Sequence, residues 1–151
     1  MGMFSLFNIA GSAMTAQSQR LSTIASNLAN VDSSASADGK PYRARQVVFQ
    51  VQPLRDLRPA GRALADTVGS PQPSGASGVR VARVIESQTP FRQVYQPGHP
   101  QADANGMVAY PNVDPVEEMT NMIAASRAYQ FNVEVMNTSR ILIQRTLEIG
   151  R

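Results

Sequence analysis

The sequence predicts an α+β fold in which long N- and C-terminal helices form a coiled-coil-like layer, with a small β-rich module between them. All ten prolines fall between Pro41 and Pro115, so neither end of the 151-residue chain contains a helix breaker. Apolar residues near both ends recur at spacings of three and four, which is the pattern of a helix face. We therefore expect a helical segment at 1–32, a strand-containing module at 33–112 and a second helical segment at 113–151.

The N-terminal segment is predicted to form a helix from about Asn8 to Asn30, roughly 35 Å long at about 1.5 Å per residue. Asn30 is expected to close this helix in a left-handed conformation. The run that follows, Ser33–Gly39, has the composition of a flexible connector. The expected seam of the helix consists of Ala10, Met14, Gln17, Leu21, Ile24, Leu28 and Val31.

The middle module is predicted to contain short strands. The stretches Tyr42–Val51, Gly78–Glu86 and Thr89–Tyr95 have the branched and aromatic content of strands. The stretch Pro53–Ser77 is rich in proline and glycine and has few large apolar residues, so it is expected to be a mobile insertion.

The C-terminal segment begins with a clear helix start. Asp114 is expected to cap the helix and Pro115 to take its first position. The helix can run to Ile149 and stop at Gly150, for a length of about 50 Å. Its expected seam has Arg140 as a polar break and otherwise consists of Met119, Met122, Ser126, Tyr129, Val133, Met136, Ile143 and Leu147, and a second apolar line consists of Ile123, Val135, Leu142 and Ile149.

Both helices have more apolar surface than one partner helix would cover. Antiparallel pairing of the two helices within the chain would bury part of this apolar surface, and packing between chains would bury the rest. The sequence leaves open how much surface each kind of packing buries. Four polar positions, Gln17, Asn27, Asn137 and Arg140, are expected either to fix a register or to face solvent on an imperfect stripe. The residues expected at an assembly interface are Met14, Gln17, Leu21, Ile24, Asn27, Leu28, Asn30, Met119, Met122, Ile123, Tyr129, Val133, Met136, Asn137, Arg140, Ile143 and Leu147.

Residue types that support catalysis are scarce. The chain has no cysteine and a single histidine, His99, which is expected in a loop. Its sequence contains no phosphate-binding glycine loop, no metal-ligand cluster and no Gly-x-Ser-x-Gly turn. Glu117 and Glu118 are consecutive on a helix, where side chains point about 100° apart, so they cannot face one substrate together. We therefore expect no catalytic residues, no metal and no other cofactor.

The net charge of +3 conceals a basic middle segment. Between residues 40 and 100, Lys40 and eight arginines outnumber three acidic residues. Such charge could neutralise nucleic-acid phosphates. The arginines, however, are spread over a Pro/Gly-rich region with little aromatic interleaving and no recognisable reading motif. A solvated surface is the better interpretation, and no nucleic-acid partner is expected.

The N-terminus has no Lys or Arg before Arg20, so it lacks the basic start of a secretory signal. The sequence also has no stretch of about 18 apolar residues. We expect no direct membrane insertion, and any export must proceed without a cleaved signal.

Three blocks of the sequence resemble the flagellar axial proteins, the family of rod, hook and related subunits. The first, Ser12–Asn30, resembles the N-terminal motif that this whole family shares. The second, Asp38–Phe49, and the third, Tyr95–Val113 with a continuation through Ala125–Val135, resemble the proximal-rod members in particular. Two departures are small, since a threonine common in the family is missing shortly after the first block and Met107 replaces an aromatic residue.

The resemblance implies a structural subunit of the proximal rod, the periplasm-spanning drive shaft that transmits torque. It places the terminal helices in an inner coiled-coil layer and the middle module outside it. It also implies passage through the flagellar type III export apparatus, with other copies of the chain, other rod proteins and membrane-ring/rod adaptor proteins as partners. A distal-rod or hook component is the nearest alternative. A soluble coiled-coil adaptor and a nucleic-acid-binding module are alternatives from other classes.

Overall fold

The computed structural model describes residues 3–34, 41–53 and 77–149. These residues form two long helices and two separate antiparallel two-stranded sheets, which confirms the α+β fold. The expected mobile insertion, Pro53–Ser77, lies outside the described residues except for Pro53 and Ser77 themselves, which are strand residues. Most of the expected connector also lies outside the described residues. In chain order the elements are α1 (Met3–Ala29), β1 (Arg45–Pro53), β2 (Ser77–Glu86), β3 (Arg92–Tyr95), β4 (Met107–Tyr110) and α2 (Pro115–Ile149).

Helix α1 begins earlier than predicted, at Met3, and ends at Ala29. The expected left-handed closure at Asn30 is wrong, because no described residue other than glycine has a positive φ. Instead, the side-chain amide of Asn30 donates to the carbonyl oxygen of Ser26 over 2.8 Å. This bond satisfies one of the carbonyl groups left free at the helix end, so no reversal of the backbone is needed there.

Helix α2 starts where the sequence predicts. The N–H groups of Val116 and Glu117 donate to Oδ1 of Asp114 over 2.9 and 3.4 Å, so Asp114 is the N-cap. Pro115 is the first helical residue, and the helix continues to Ile149.

The two helices run antiparallel. Arg20 Nη2 donates to Asn121 Oδ1 over 3.2 Å, and Asn27 Nδ2 donates to Glu118 Oε1 over 2.9 Å. The later residue of α1 therefore faces the earlier residue of α2. The buried apolar residues of the helices are mainly short ones that allow close approach: Ala10, Ala16, Ile24 and Ala125.

The helices differ in length. Helix α2 has 35 residues and α1 has 27, which correspond to about 52 and 40 Å. In an antiparallel pair, a residue a given number of positions earlier on one helix faces a residue the same number of positions later on the other. Counted in this way from the two cross-helix bonds, Met3 lies beside the turn Thr138–Leu142. The last two turns of α2 therefore extend beyond the start of α1.

Strands β1 and β2 form a ribbon that lies along α1. Their register pairs Arg45 with Glu86 at one end and Pro53 with Ser77 at the other, and a bulge interrupts it between Val48 and Phe49. One face of the ribbon carries the apolar pairs Val47 with Val84, Phe49 with Val81, and Val51 with Val79. The N–H of Val79 donates to Ser12 Oγ over 3.1 Å, which ties β2 to α1.

Strands β3 and β4 form the second hairpin. Arg92 pairs with Tyr110 and Tyr95 with Met107. The sequence analysis predicted a strand at Thr89–Tyr95, of which the last four residues are strand, and it missed β4. The Asn-Gly dipeptide immediately before β4 is a turn signal that could have indicated this hairpin.

The core lies where the helices and the two hairpins meet. Besides the buried helical residues, it contains Ala44 just before β1, Val108 on β4, and Pro111 and Val113 on the segment that leads into α2. The second hairpin and the segment that follows it therefore pack at the Asn27 end of the helical hairpin, and the ribbon extends from there along α1 as far as Ser12.

Candidate assembly interface

Asn27 occupies the point where α1, α2 and β1 meet, and it is completely buried. Its Oδ1 accepts hydrogen bonds from the hydroxyl of Tyr42 and the N–H of Arg45, each 2.9 Å long. Its Nδ2 donates to the carbonyl oxygen of Arg45 and to Oε1 of Glu118, also 2.9 Å each. These four bonds satisfy both donors and both acceptor positions of the amide. We call the four residues the Asn27 junction.

Glu118 brings a carboxyl group into this junction. Burial raises the pKa of Glu118 above its ordinary value of 4.5, the hydrogen bond from Asn27 acts in the opposite direction, neighbouring Glu117 raises the pKa further, and Arg20 lowers it. The net pKa is raised, so removal from water outweighs the favourable partners. The ionised carboxylate is therefore held in place at some cost in stability.

A second set of polar contacts fastens the ribbon to the segment before β3. Asn112 Oδ1 accepts the N–H of Ala44 over 2.8 Å, and its Nδ2 donates to the carbonyl oxygen of Thr89 over 3.0 Å. The guanidinium of Arg43 donates to the carbonyl oxygen of Ser87 over 3.0 Å and lies 4.5 Å from the centre of the Phe91 ring. These bonds hold the parts of the middle module together, whereas the Asn27 junction joins the module to the helical hairpin.

Helix α2 exposes many large apolar side chains. Val116, Phe131 and Leu147 are 73%, 70% and 69% exposed. The other large apolar residues of α2 that are exposed are Met119, Ile123, Tyr129, Ile141 and Leu142. The intramolecular partner α1 covers one side of α2, and these eight residues, which we call the exposed apolar set, are left to solvent in the single chain.

The residues expected at an assembly interface fall into three groups by exposure. Two are buried within the chain, namely Ile24 and Asn27. Nine are half-buried, namely Met14, Gln17, Leu21, Leu28, Asn30, Met122, Val133, Met136 and Ile143. Six are exposed, namely Met119, Ile123, Tyr129, Asn137, Arg140 and Leu147. Contact between subunits through any of them stays a prediction.

The four polar positions of the seams have different surroundings. Asn27 fixes the register of α1 against α2 within the chain. Asn137 and Arg140 face solvent in the single chain. Gln17 is half-buried, and its Oε1 is buried without a hydrogen-bond partner in the described part of the structure.

Sequence reasoning missed the partners that make the Asn27 junction. It considered Glu118 only in excluding a catalytic pair with Glu117, and it placed Tyr42 in a strand. The one available signal was a polar residue, Asn27, within an apolar stripe, which requires buried partners if it is buried. The identity of those partners depends on the chain returning to α1 after residue 40, which local patterns do not specify.

The described residues contain no group of three or more His, Cys, Asp or Glu side chains placed to hold a metal. His99 lies in the loop between β3 and β4, where its Nδ1 accepts the N–H of Gln101 over 3.2 Å. Of the basic middle segment, Arg45 and Arg92 lie over the rings of Tyr42 and Tyr110. His99 thus makes a hydrogen bond within its own loop, and Arg45 and Arg92 each contact an aromatic ring of the same chain.

Neither described helix is long and apolar enough to cross a membrane.

Two family models match the chain at the elements just described. One, described as flagella basal body rod protein, matches residues 7–34, which include most of α1 and its exit. The other, described as flagellar basal body rod FlgEFG protein C-terminal, matches residues 104–149, which include β4 and α2. Each model thus matches one helix of the hairpin, the first α1 and the second α2.

Similarity to curated relatives extends over the whole chain. The flagellar basal-body rod protein FlgC of Salmonella typhimurium is 52% identical over 151 residues, with 100% of each chain covered. That of Yersinia enterocolitica is 49% identical over 153 residues, again with 100% of each covered. That of Borreliella burgdorferi is 37% identical over 153 residues, covering 99% of this chain and 98% of the relative.

Proposed function

The chain belongs to the FlgC family of flagellar basal-body rod proteins and is a structural subunit of that rod, and from this premise we propose that it builds the proximal, periplasm-spanning part of the rod. In this proposal the helical hairpins of many copies pack side by side into a shaft. Lateral contacts between helices would then share the torque that the shaft transmits.

The observation that carries the proposal is the exposed apolar set on α2. Its eight members are each between 37% and 73% exposed, although apolar burial is the main favourable term in folding and association, at about 25 cal/mol per Å². A chain that stayed monomeric would leave the exposed part of these side chains in water. Packing between neighbouring α2 helices would bury them, so we propose as the contact surface the exposed apolar set together with the fifteen expected interface residues that are not buried within the single chain.

We propose that the ends of the hairpin become fully ordered only on assembly. The Asn27 junction holds the helices together at the end next to the middle module. At the far end the buried helical residues are small, for example Ala10 and Ser139, and the last turns of α2 have no partner on α1. Covering by a neighbouring subunit would supply the apolar burial that this end lacks, so ordering and assembly would be coupled.

We propose other copies of this chain, other flagellar rod proteins and membrane-ring/rod adaptor proteins as partners, and the flagellar type III export apparatus as the route across the membrane without a cleaved signal. We also propose that the chain has no enzymatic activity. The similarity to proteins named for the rod supports a structural role. The contacts of the Asn27 junction add to this support, because its buried polar groups are used in joining elements.

The test is complementation of a strain that lacks the gene. One variant carries Ile123→Asn and Phe131→Asn, which makes two members of the exposed apolar set polar. The control carries Gln130→Asn and Gln144→Asn, which places the same new residue at two exposed polar positions of the same helix. We expect the first variant to lose complete rods and swimming and the control to keep both, with similar urea unfolding for the two purified chains. Normal rods with the first variant would contradict the proposed contact surface.

A further inference from the structure

We propose that the outer edge of β1, the edge that faces away from β2, is a strand-addition site. In this proposal an extended segment of another flagellar rod protein pairs with that edge, in the groove between β1 and α2. The inference rests on the proposed function and specifies it, since it names one surface that receives a partner and the kind of segment that the partner supplies.

The outer edge of β1 has backbone groups without partners. In an antiparallel pair, residues alternate between those that bond to the partner strand and those whose N–H and C=O point away from it. Arg45 points away from β2, because its N–H and its carbonyl oxygen both bond to Asn27. By this alternation Val47, Phe49 and Val51 also point away from β2. Among the described residues, none outside the ribbon forms a backbone hydrogen bond with these three.

The far end of the ribbon supports the same assignment. Val79 is the partner of Val51, and its N–H donates to Ser12 on α1. Paired residues of an antiparallel ribbon either both face the ladder or both face away from it, so Val51 faces away as well. The bulge does not interrupt this alternation along β1, because the residue that it leaves unpaired, Ala82, lies on β2.

The outer edge of β1 lacks the features by which proteins usually protect an exposed strand. Charged side chains, a proline or a bulge in the edge strand normally hinder pairing with another chain. Between Gln46 and Gln52, β1 has no charged residue and no proline. Phe49 and Val51 on this strand are 37% and 68% exposed. The edge is therefore competent to bind a further strand.

The outer edge borders a groove whose other wall is α2. Glu117 lines the same cleft of about 510 Å³ as Val47 and Phe49. Ala124 and Phe131 follow Glu117 at intervals of seven residues, so the three lie within about 40° of one another around α2. Ala124 is exposed, and Phe131 is 70% exposed. A strand paired with β1 would place alternate side chains against this apolar row.

The charges in the groove restrict the segment that fits it. At the start of α2 the cleft is lined by the carboxyl groups of Asp114, Glu117 and Glu118. The two arginines of the cleft, Arg20 and Arg45, already bond to side chains of this chain. We therefore expect the bound segment to have apolar side chains at alternate positions, no acidic residue, and a basic residue near the start of α2.

Another rod protein fits this groove better than a second copy of the chain. The described strands of this chain all belong to two-stranded hairpins, so a strand from a second copy would bring its own partner strand with it. Antiparallel pairing of two β1 edges would also need a twofold axis, which reverses one copy relative to the other. Subunits of one shaft point in the same direction, so such pairing cannot repeat along the shaft.

Photo-cross-linking identifies the segment that binds in assembled rods. The photoreactive residue benzoylphenylalanine replaces Val51 in the full-length chain, which is expressed in the strain lacking the gene. After illumination of purified basal bodies, we expect a cross-link to a different flagellar rod protein, mapped by mass spectrometry to one extended segment. The same replacement at Gln50, whose side chain lies on the opposite face of the ribbon, is the control and should not cross-link to that segment.

A proline in the edge tests the backbone hydrogen bonds themselves. Val51→Pro removes an N–H that points away from β2, so the ribbon keeps its own bonds, whereas Val51→Thr changes the side chain and keeps the N–H. Val51→Pro should lower the number of complete rods at least about fivefold, as expected for the loss of a buried hydrogen bond, and Val51→Thr should not. Urea midpoints of the two purified chains should be similar.

Hydrogen exchange in the free chain tests whether the edge is open. The amide protons of Val47, Phe49 and Val51 should exchange at least about tenfold faster than those of Val48 and Gln50, which bond to β2. Equal exchange of the two sets would overturn the inference.

Three results in assembled rods would also overturn the inference and leave the proposed function standing. They are normal rods with Val51→Pro, loss of rods with both replacements at Val51, and cross-links from position 51 only to other copies of this chain or to no protein. Failure of the intact chain to restore rods would instead reject the proposed function.

Discussion

Asn27 on α1 and Glu118 on α2 are joined by a hydrogen bond of 2.9 Å between residues that are 91 positions apart in the sequence. The same amide of Asn27 also binds the backbone of Arg45 at the start of β1. One buried side chain therefore sets both the register of the helical hairpin and the place where the ribbon leaves it. The geometry of the single chain therefore depends on this polar point as well as on its apolar seam.

Replacement of Asn27 by leucine should destabilise the chain strongly. Asn27→Leu leaves the Tyr42 hydroxyl, the Arg45 backbone groups and the Glu118 carboxyl without their partner, at a cost of about 2–4 kcal/mol in the free energy of unfolding. Asn137→Leu makes the same change at an exposed position of α2 and should shift that energy by less than about 0.5 kcal/mol. Urea unfolding measures both, and similar effects for the two variants would refute the role given to the junction.

Stability should depend on pH through Glu118. Because its pKa is raised in the folded chain, the folded state binds the proton more tightly, and this contribution to stability is lost as pH rises from 4.5 through the folded pKa. Glu118→Gln keeps an oxygen acceptor for Asn27 but cannot ionise. The unfolding free energy of Glu118→Gln minus that of the intact chain should therefore increase as pH rises from 4.5 through the folded pKa of Glu118.

The pH effect is measured by urea unfolding at several pH values from about 4 to 7 for both chains. Glu134→Gln, which removes an exposed carboxylate from the same helix, controls for the change in net charge. A difference between Glu118→Gln and the intact chain that stayed flat, or fell with rising pH, would show that burial does not dominate at Glu118.

The loop between β3 and β4 should tolerate a side chain at one glycine and reject it at another. Gly106 has a φ of 73°, and a Cβ there would lie 2.9 Å from Cε2 of Tyr95. Gly106→Ala should therefore cost about 1–2 kcal/mol. A Cβ at Gly98 would meet nothing within 4 Å, so Gly98→Ala should be nearly neutral. Thermal unfolding of the two variants compares them directly, and equal melting temperatures would argue against the strained turn.

The free chain should be cut faster at the end of α2 than within α1. Arg140 and Arg145 are exposed near or beyond the start of α1, whereas Arg20 is half-buried and bonded to Asn121. Trypsin should cleave after Arg140 and Arg145 at least about tenfold faster than after Arg20, because local opening is easiest where few contacts must break. Assembled rods should protect the same sites. Uniform protection of the dilute chain would contradict assembly-coupled ordering.

Local patterns in the sequence were sufficient for the main elements. Proline placement and apolar spacing predicted both helices, and Asp114 with Pro115 predicted the start of α2. The closure at Asn30 was wrong because the prediction weighed the backbone preference of asparagine and not the bond its side chain makes with Ser26. The four-residue strand β4 was missed because so short a strand acquires its structure from pairing with β3.

The arrangement of the site was less accessible to sequence reasoning. The apolar stripes indicated more surface than one helix covers, but the antiparallel register is set by the pairs Asn27 with Glu118 and Arg20 with Asn121, which are distant in sequence. The overhang of α2 follows from that register and from two helix lengths, so it could not be read from either helix separately. The division of the chain at 32 and 112 stays a prediction.

The chain is a structural part of the flagellar rod, and electron microscopy of basal bodies is the decisive test of this role. Basal bodies from a strain lacking the gene are compared with those from the same strain complemented with the intact chain. We expect deletion to stop assembly before a complete rod forms and complementation to restore it. Complete rods of normal appearance without the gene would contradict it.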